Sequence, residues 1–141
     1  MTTTARATLP LLHRFLGIGI LVLSATFAVL RYFEIGPVLP EGRVSFVLAC
    51  LLSAIGVVLA TITVLVVKPR VPDRAAGQPV EQYWATPAVG MRVVNVWFLL
   101  EGAGTLAAIG YYLTGQPVAA IATGLLLMVF WTCGPNAFAK A

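Results

Sequence analysis

The sequence predicts an all-α integral membrane protein with four transmembrane helices, arranged as two helical hairpins with both termini in the cytoplasm. Three observations carry that prediction. Of 141 residues, 60% are hydrophobic and only 10% charged, and the mean hydropathy is +0.95, whereas a soluble domain carries roughly 25% charge and about 45–50% apolar residues. Each helical crossing of a ~30 Å hydrocarbon layer takes about 20 residues, so the length admits about four crossings and no separate soluble domain. Finally, the basic residues divide unevenly between the two ends of the apolar runs. Together these exclude a water-soluble globular fold and make 1–141 a single membrane domain.

Span one is expected at about Leu9 to Tyr32, since no charge falls between Arg14 and Arg31 and Pro10 offers a helix start. A basic residue before an apolar run, with Ala25-Thr26-Phe27-Ala28 behind it, also fits a cleaved signal segment; the expectation is a retained span. Span two, about Val44 to Val67, is uncharged and closes at Lys68-Pro69, where the proline blocks continuation. From Gly102 to Ala139 no charge appears, which is too long for one crossing. Thr114-Gly115-Gln116-Pro117 supplies the reversal. Span three is therefore about Met91 to Leu113 and span four about Pro117 to Cys133. The cytoplasmic loop between spans two and three, 68–90, holds Pro69, Pro72, Pro79 and Pro87 with Gly77, which favour extended backbone. It should form a strap on the membrane surface, pinned by Tyr83 and Trp84, with basic residues suited to anionic headgroups.

Orientation follows from the basic residues near helix ends. Arg6, Arg14, Lys68, Arg70, Arg74, Arg92 and Lys140 share one side, against Arg31 and Arg43 on the other, which puts both termini in the cytoplasm of a bacterial inner membrane. Tyr32, Phe33, Tyr111 and Tyr112 fall at outer helix ends and Tyr83, Trp84 and Trp131 at inner ends, as interfacial anchors would. A short internal echo, Tyr32 before Pro37-Val38 and Tyr112 before Pro117-Val118, fits two related hairpins.

Helices in lipid associate through close approach over small residues. Ala49, Ser53, Gly56, Ala60 and Thr63 form such a stripe on span two; Ala103, Ala107 and Gly110 do so on span three, Ala120 with Gly124 on span four, and Gly17, Ser24 and Ala28 on span one. These predict helix packing and no chemistry.

Glu101 carries the candidate chemistry. It lies about eight residues, roughly 12 Å at 1.5 Å per residue, from the cytoplasmic start of span three, near the bilayer middle. An ionisable side chain there costs ~2.5–3.5 kcal/mol and marks a functional site by default. The protonated carboxyl could donate to a neighbouring helix or exchange a proton, with Thr105 and Ala108 on the same face. Alternatively it is a structural hydrogen-bonder, or pairs with His13, Arg14 or Arg92 at the inner boundary. His13 is the single histidine; a lone membrane histidine can ligate haem or chlorophyll or meet a quinone, or simply pack at the interface. Asn95 and Trp97 can bond across helices. Cys50 and Cys133 fall in different leaflets and form no disulfide pair. With no histidine cluster, carboxylate pair, nucleophile motif or phosphate-binding loop, the expectation is no enzyme, no cofactor and no bound metal.

Lys68-Pro69-Arg70, then Arg92, then a mid-membrane Glu101 followed by small residues, resembles the hairpin of rotary ATPase proteolipid subunits. That resemblance covers spans two and three and implies that Glu101 alone would hold the proton or sodium ion. Four short helices with one membrane glutamate also look like the small multidrug transporter class, which uses such a residue to exchange protons for cations. Gln78-Pro79 through Tyr83-Trp84 to Glu101-Gly102-Ala103-Gly104 is similar to uncharacterised bacterial four-span proteins, and implies that the loop and span three form one recurring unit. The functional expectation is a non-catalytic accessory or scaffold subunit of a larger membrane assembly, or a homo-oligomer. Its partners would be the lipid bilayer and other membrane subunits or copies of itself, not nucleic acid. The alternative is proton or cation translocation through an oligomer at Glu101.

Overall fold

The computed structural model describes residues 3–139, with side chains from Thr8 onward; Lys140 and the side chain of Arg6, two of the seven basic residues expected on the inner side, lie outside the described residues. Those described are helical or irregular, with no strand. Helix α1 runs Thr3–Tyr32 and α2 Arg43–Ile62, the latter continued by a π-helical turn, Thr63–Val67, and a 3-10 turn, Lys68–Arg70. A short α3, Val80–Ala85, precedes α4, Pro87–Thr114, and α5, Pro117–Thr132; a 3-10 turn, Pro135–Ala137, follows. Three of these helical stretches, Thr8–Tyr32, Arg43–Arg70 and Pro87–Thr114, are long and apolar enough to cross a membrane. With 16 residues α5 is shorter, ~24 Å at 1.5 Å per residue.

Several boundaries move. Pro10 lies inside α1, which starts at Thr3; the ring removes one backbone hydrogen bond but the remaining ladder carries the helix through. The third long helix begins at Pro87, four residues before the expected Met91, because Pro87 occupies the first turn, where a missing N–H costs nothing. The proline-rich strap is not wholly extended, since α3 forms within it directly after Pro79, which sits at the N-cap position. Its Tyr83 and Trp84 are 2% and 6% exposed, so they are core residues and not surface anchors. By contrast Tyr32, 81% exposed, and Phe33 face outward.

Helix α4 is the centre of the bundle, packed on α1, α2, α3 and α5, and α2 also meets α5. The first two long helices do not form a packed hairpin as the sequence suggested, because α1 and α2 lie against different sides of α4. Their connection crosses the C-terminal end of α4, where the Leu39 N–H donates to the Leu113 carbonyl (2.8 Å) and the Tyr112 hydroxyl to the Ile35 carbonyl (2.8 Å). Gly36 has φ +98°, and any Cβ there would collide with the Tyr112 hydroxyl, so only glycine lets the connection sit this low. The α4–α5 reversal is as tight as expected, with Gly115 in the left-handed region at φ +66° and its N–H donating to the Tyr111 carbonyl (2.7 Å).

Small residues set the helix separations. Ala49, Ser53, Gly56, Ala60 and Thr63 are all buried on α2, and Ala103, Ala107 and Gly110 are buried on α4. A Cβ placed on Gly56 would lie 2.7 Å from the Ala103 carbonyl oxygen, the contact of two backbones with nothing between. On α5 the expected pair Ala120 and Gly124 is exposed instead. The buried set there is Ala119, Ala122, Thr123, Leu126 and Phe130, whose spacing follows one helical face. On α1 Gly17 is buried against Trp131, Ser24 half-buried and Ala28 exposed.

The chain runs up and down, so the start of α1, the end of α2, the start of α4 and the end of α5 meet at one pole. Arg14, Lys68, Arg70, Arg74 and Arg92 gather there, while Arg31 and Arg43 lie at the other. The strap is tied to the basic pole by backbone acceptors: Arg74 donates to the carbonyls of Ala139 (2.9 Å) and Gln78 (2.7 Å), Arg92 to that of Arg70, and the Tyr83 hydroxyl to that of Pro72 (2.9 Å).

Candidate functional site

Two places carry polar chemistry inside the apolar bundle. The first is an aromatic nest at the basic pole, built where α1, α4 and α5 converge. His13 is only 3% exposed. Its ring stacks on Phe130 at 4.5 Å and 2° and meets Trp97 at 4.9 Å and Trp131 edge-on at 5.4 Å. Its Nε2 lies 3.2 Å from the Phe130 carbonyl. A carbonyl only accepts, so Nε2 donates, and in the neutral ring Nδ1 is left as the acceptor. The Trp97 indole N–H donates to the Cys133 carbonyl at 2.7 Å, one of the carbonyls left unpaired at the end of α5. His13 and Trp97 thus cap the C-terminal turn of α5 from neighbouring helices. A cavity of about 350 Å³ opens beside the nest, walled by His13, Arg14, Trp131 and the Gly134–Ala137 segment.

Glu101 is the second place. It sits near the midpoint of the 28-residue α4 and is half-buried. None of the pairings open to it from sequence forms: His13 is committed to Phe130, Arg92 to Arg70, and Arg14 is exposed at the pole. Among the described residues Glu101 makes no hydrogen bond or ion pair, and neither does Thr105 one turn on. Burial increases from Glu101 toward the α1 side, where Gly104 lies under Ile20 and Trp97 and Ala108 are buried. It decreases toward Phe98, which is 51% exposed. The carboxyl therefore stands at the edge of the α1–α4 seam, on the bundle's flank.

Sequence reasoning gave no hint of two features. The hydroxyls of Ser24 and Ser53 are buried without a hydrogen-bond partner. Lys68 reaches across the pole to place its Nζ 5.7 Å from the centre of the Phe138 ring, a contact between residues seventy positions apart that no local pattern encodes. Both cysteines are free thiols. No cluster of three or more histidine, cysteine or carboxylate side chains suited to a metal occurs among the described residues. Comparison of the chain with protein-family models, with curated proteins and with solved structures finds no match to any of them.

Proposed function

We propose that this chain is a four-span protein of a bacterial inner membrane, with both termini cytoplasmic, acting as a non-catalytic accessory or scaffold subunit of a larger membrane assembly or homo-oligomer. Membrane residence is supported by three long apolar helices with outward-facing residues such as Phe15, Val22, Leu51 and Val58, surface that water would not tolerate. The fourth crossing is α5, uncharged and short enough to require local thinning of the bilayer. The basic pole faces inward by the positive-inside rule.

The observation that carries the subunit reading is Glu101. A half-buried carboxyl on the flank of an apolar bundle, without a partner among the described residues, is costly against lipid. A donor from an adjoining helix removes that cost. Mass measurement of the protein purified in mild detergent tests this: complexes larger than one chain are expected, and a stable monodisperse monomer without companions refutes it.

The same unpartnered carboxyl favours a second reading, in which Glu101 carries protons or cations along a subunit interface. Flux into liposomes decides between them. Translocation predicts flux that Glu101→Gln abolishes, and the scaffold role predicts none in either protein.

A further inference from the structure

Two cavities at the basic pole share a wall. The lower one is a groove of about 490 Å³ between α2 and α5, walled chiefly by Val57, Thr61, Leu65, Leu125 and Val129. Val57, Leu65 and Leu125 are about half or more exposed, so the groove opens to the outside of the bundle along its length. The upper one is a more polar basin of about 400 Å³ enclosed by the strap, with Pro72, Asp73, Tyr83 and Phe138 in its walls. Val64 and Lys68 line both. Each lies within the roughly 300–1,000 Å³ of ordinary ligand sites. Lys68 thus stands between an apolar slot and a more polar basin, a cation at their shared wall.

Lys68 is half-buried there, with the Phe138 ring beneath its ammonium and no ion pair to a described carboxylate. Asp73 lines the basin together with Lys68, whereas Lys68 is the one charged side chain among the described residues that line the groove. The π-helical turn Thr63–Val67 forms the wall at the junction, and such turns concentrate at functional sites. We infer that the groove and basin are a binding site for one anionic phospholipid, an acyl chain lying between α2 and α5 and the headgroup phosphate on Lys68. The inference rests on the membrane reading above. Charge complementarity selects the headgroup, because Lys68 makes no ion pair to a described carboxylate and closes a groove whose other lining is mainly apolar.

The test uses the full chain in mild detergent, with dioleoyl phosphatidylglycerol, dioleoyl phosphatidylcholine or inorganic phosphate as probes and native mass spectrometry and thermal melting as readouts. One phosphatidylglycerol per chain should be retained in preference to phosphatidylcholine, and inorganic phosphate should neither compete with it nor raise the melting temperature. Lys68→Gln should lower phosphatidylglycerol affinity about fivefold, one basic residue's share of attraction to an anionic lipid surface. Thr61→Phe, or Leu125→Phe on the opposite wall, should lower retention of the acyl chain by filling the slot. Equal retention of both lipids, parental retention by Lys68→Gln in a variant that melts normally, or stabilisation by phosphate alone overturns the inference. A chain that requires detergent yet shows no lipid preference removes the lipid site alone, whereas a chain that stays soluble without detergent removes the membrane reading as well.

Discussion

Adding a single methyl group at Gly56 probes the closest approach in the bundle. Its Cβ would stand 2.7 Å from the Ala103 carbonyl oxygen and 3.2 Å from Cδ1 of Leu126, where ordinary contact begins at 3.4 Å. The first obstacle is backbone, so it cannot swing aside, and α2 must retreat from α4 by about 0.7 Å along a close-packed seam. Overpacking of this kind costs ~1–3 kcal/mol, offset by the ~0.5–1 kcal/mol that alanine gains over glycine inside a helix. Gly56→Ala should therefore lose up to about 2.5 kcal/mol. Gly17→Ala should lose less, because its nearest obstacle, 2.7 Å away, is the ring of Trp131, which is 43% exposed and can turn outward. Gly19→Ala and Gly124→Ala meet nothing within 4 Å and should gain ~0.5–1 kcal/mol. Reversible unfolding by SDS in mixed micelles, followed by far-UV circular dichroism, measures all four. Adding Trp131→Ala should rescue Gly17→Ala, and adding Leu126→Ala should leave Gly56→Ala unrescued. The reasoning is refuted if Gly56→Ala gains stability as Gly19→Ala does, or if Leu126→Ala restores it.

The same unfolding assay reads three further predictions. Ser45→Ala removes a buried hydroxyl that donates to the Thr114 carbonyl at 3.2 Å and should cost ~0.5–1.5 kcal/mol, whereas Ser53→Ala removes an unpartnered hydroxyl and should be neutral or stabilising; equal losses would contradict the assignment. Trp97→Phe keeps a ring but strips the donor from the Cys133 carbonyl, and should cost ~1–3 kcal/mol for the acceptor left behind. Burial, aided by the charge of Asp73, pushes the Tyr83 phenol above its ordinary range. A folded value above the unfolded value of about 10 means this stability is complete below pH ~10 and disappears as pH rises through the folded value. Tyr83→Phe should remove that alkaline loss, and an unchanged pH profile in the variant would refute the account.

What could be read from sequence was whatever repeats within a helix or punctuates its ends. The buried face of α2 follows from small residues recurring every three or four positions, and the α4–α5 reversal from Gly115 before Pro117. The start of α4 at Thr86-Pro87, a threonine in the cap position before a first-turn proline, is a local signal that the sequence reading did not use. Tyr83 and Trp84 look like surface anchors by composition, and nothing local announces that α3 turns them inward. The nest around His13 joins residues 117 positions apart, and the Lys68 site is likewise assembled by tertiary packing. Glu101 was visible because a charge in an apolar run is conspicuous; whether it had a partner depended on Arg92 and His13 being committed elsewhere and on Arg14 lying exposed at the pole.

The placement of α4 between two helices that precede it has a consequence for biosynthesis. A ribosome delivers α1 and α2 first, and they have almost no contact with each other. The 52 residues that follow Ile62, through Thr114, take roughly 3–10 seconds to translate at about 5–20 residues per second. Over that interval the two early helices wait apart, each exposing a face whose mate has yet to emerge. The bundle closes by insertion of a wedge, and every nascent chain shorter than α4 is an unassembled pair of helices open to quality control.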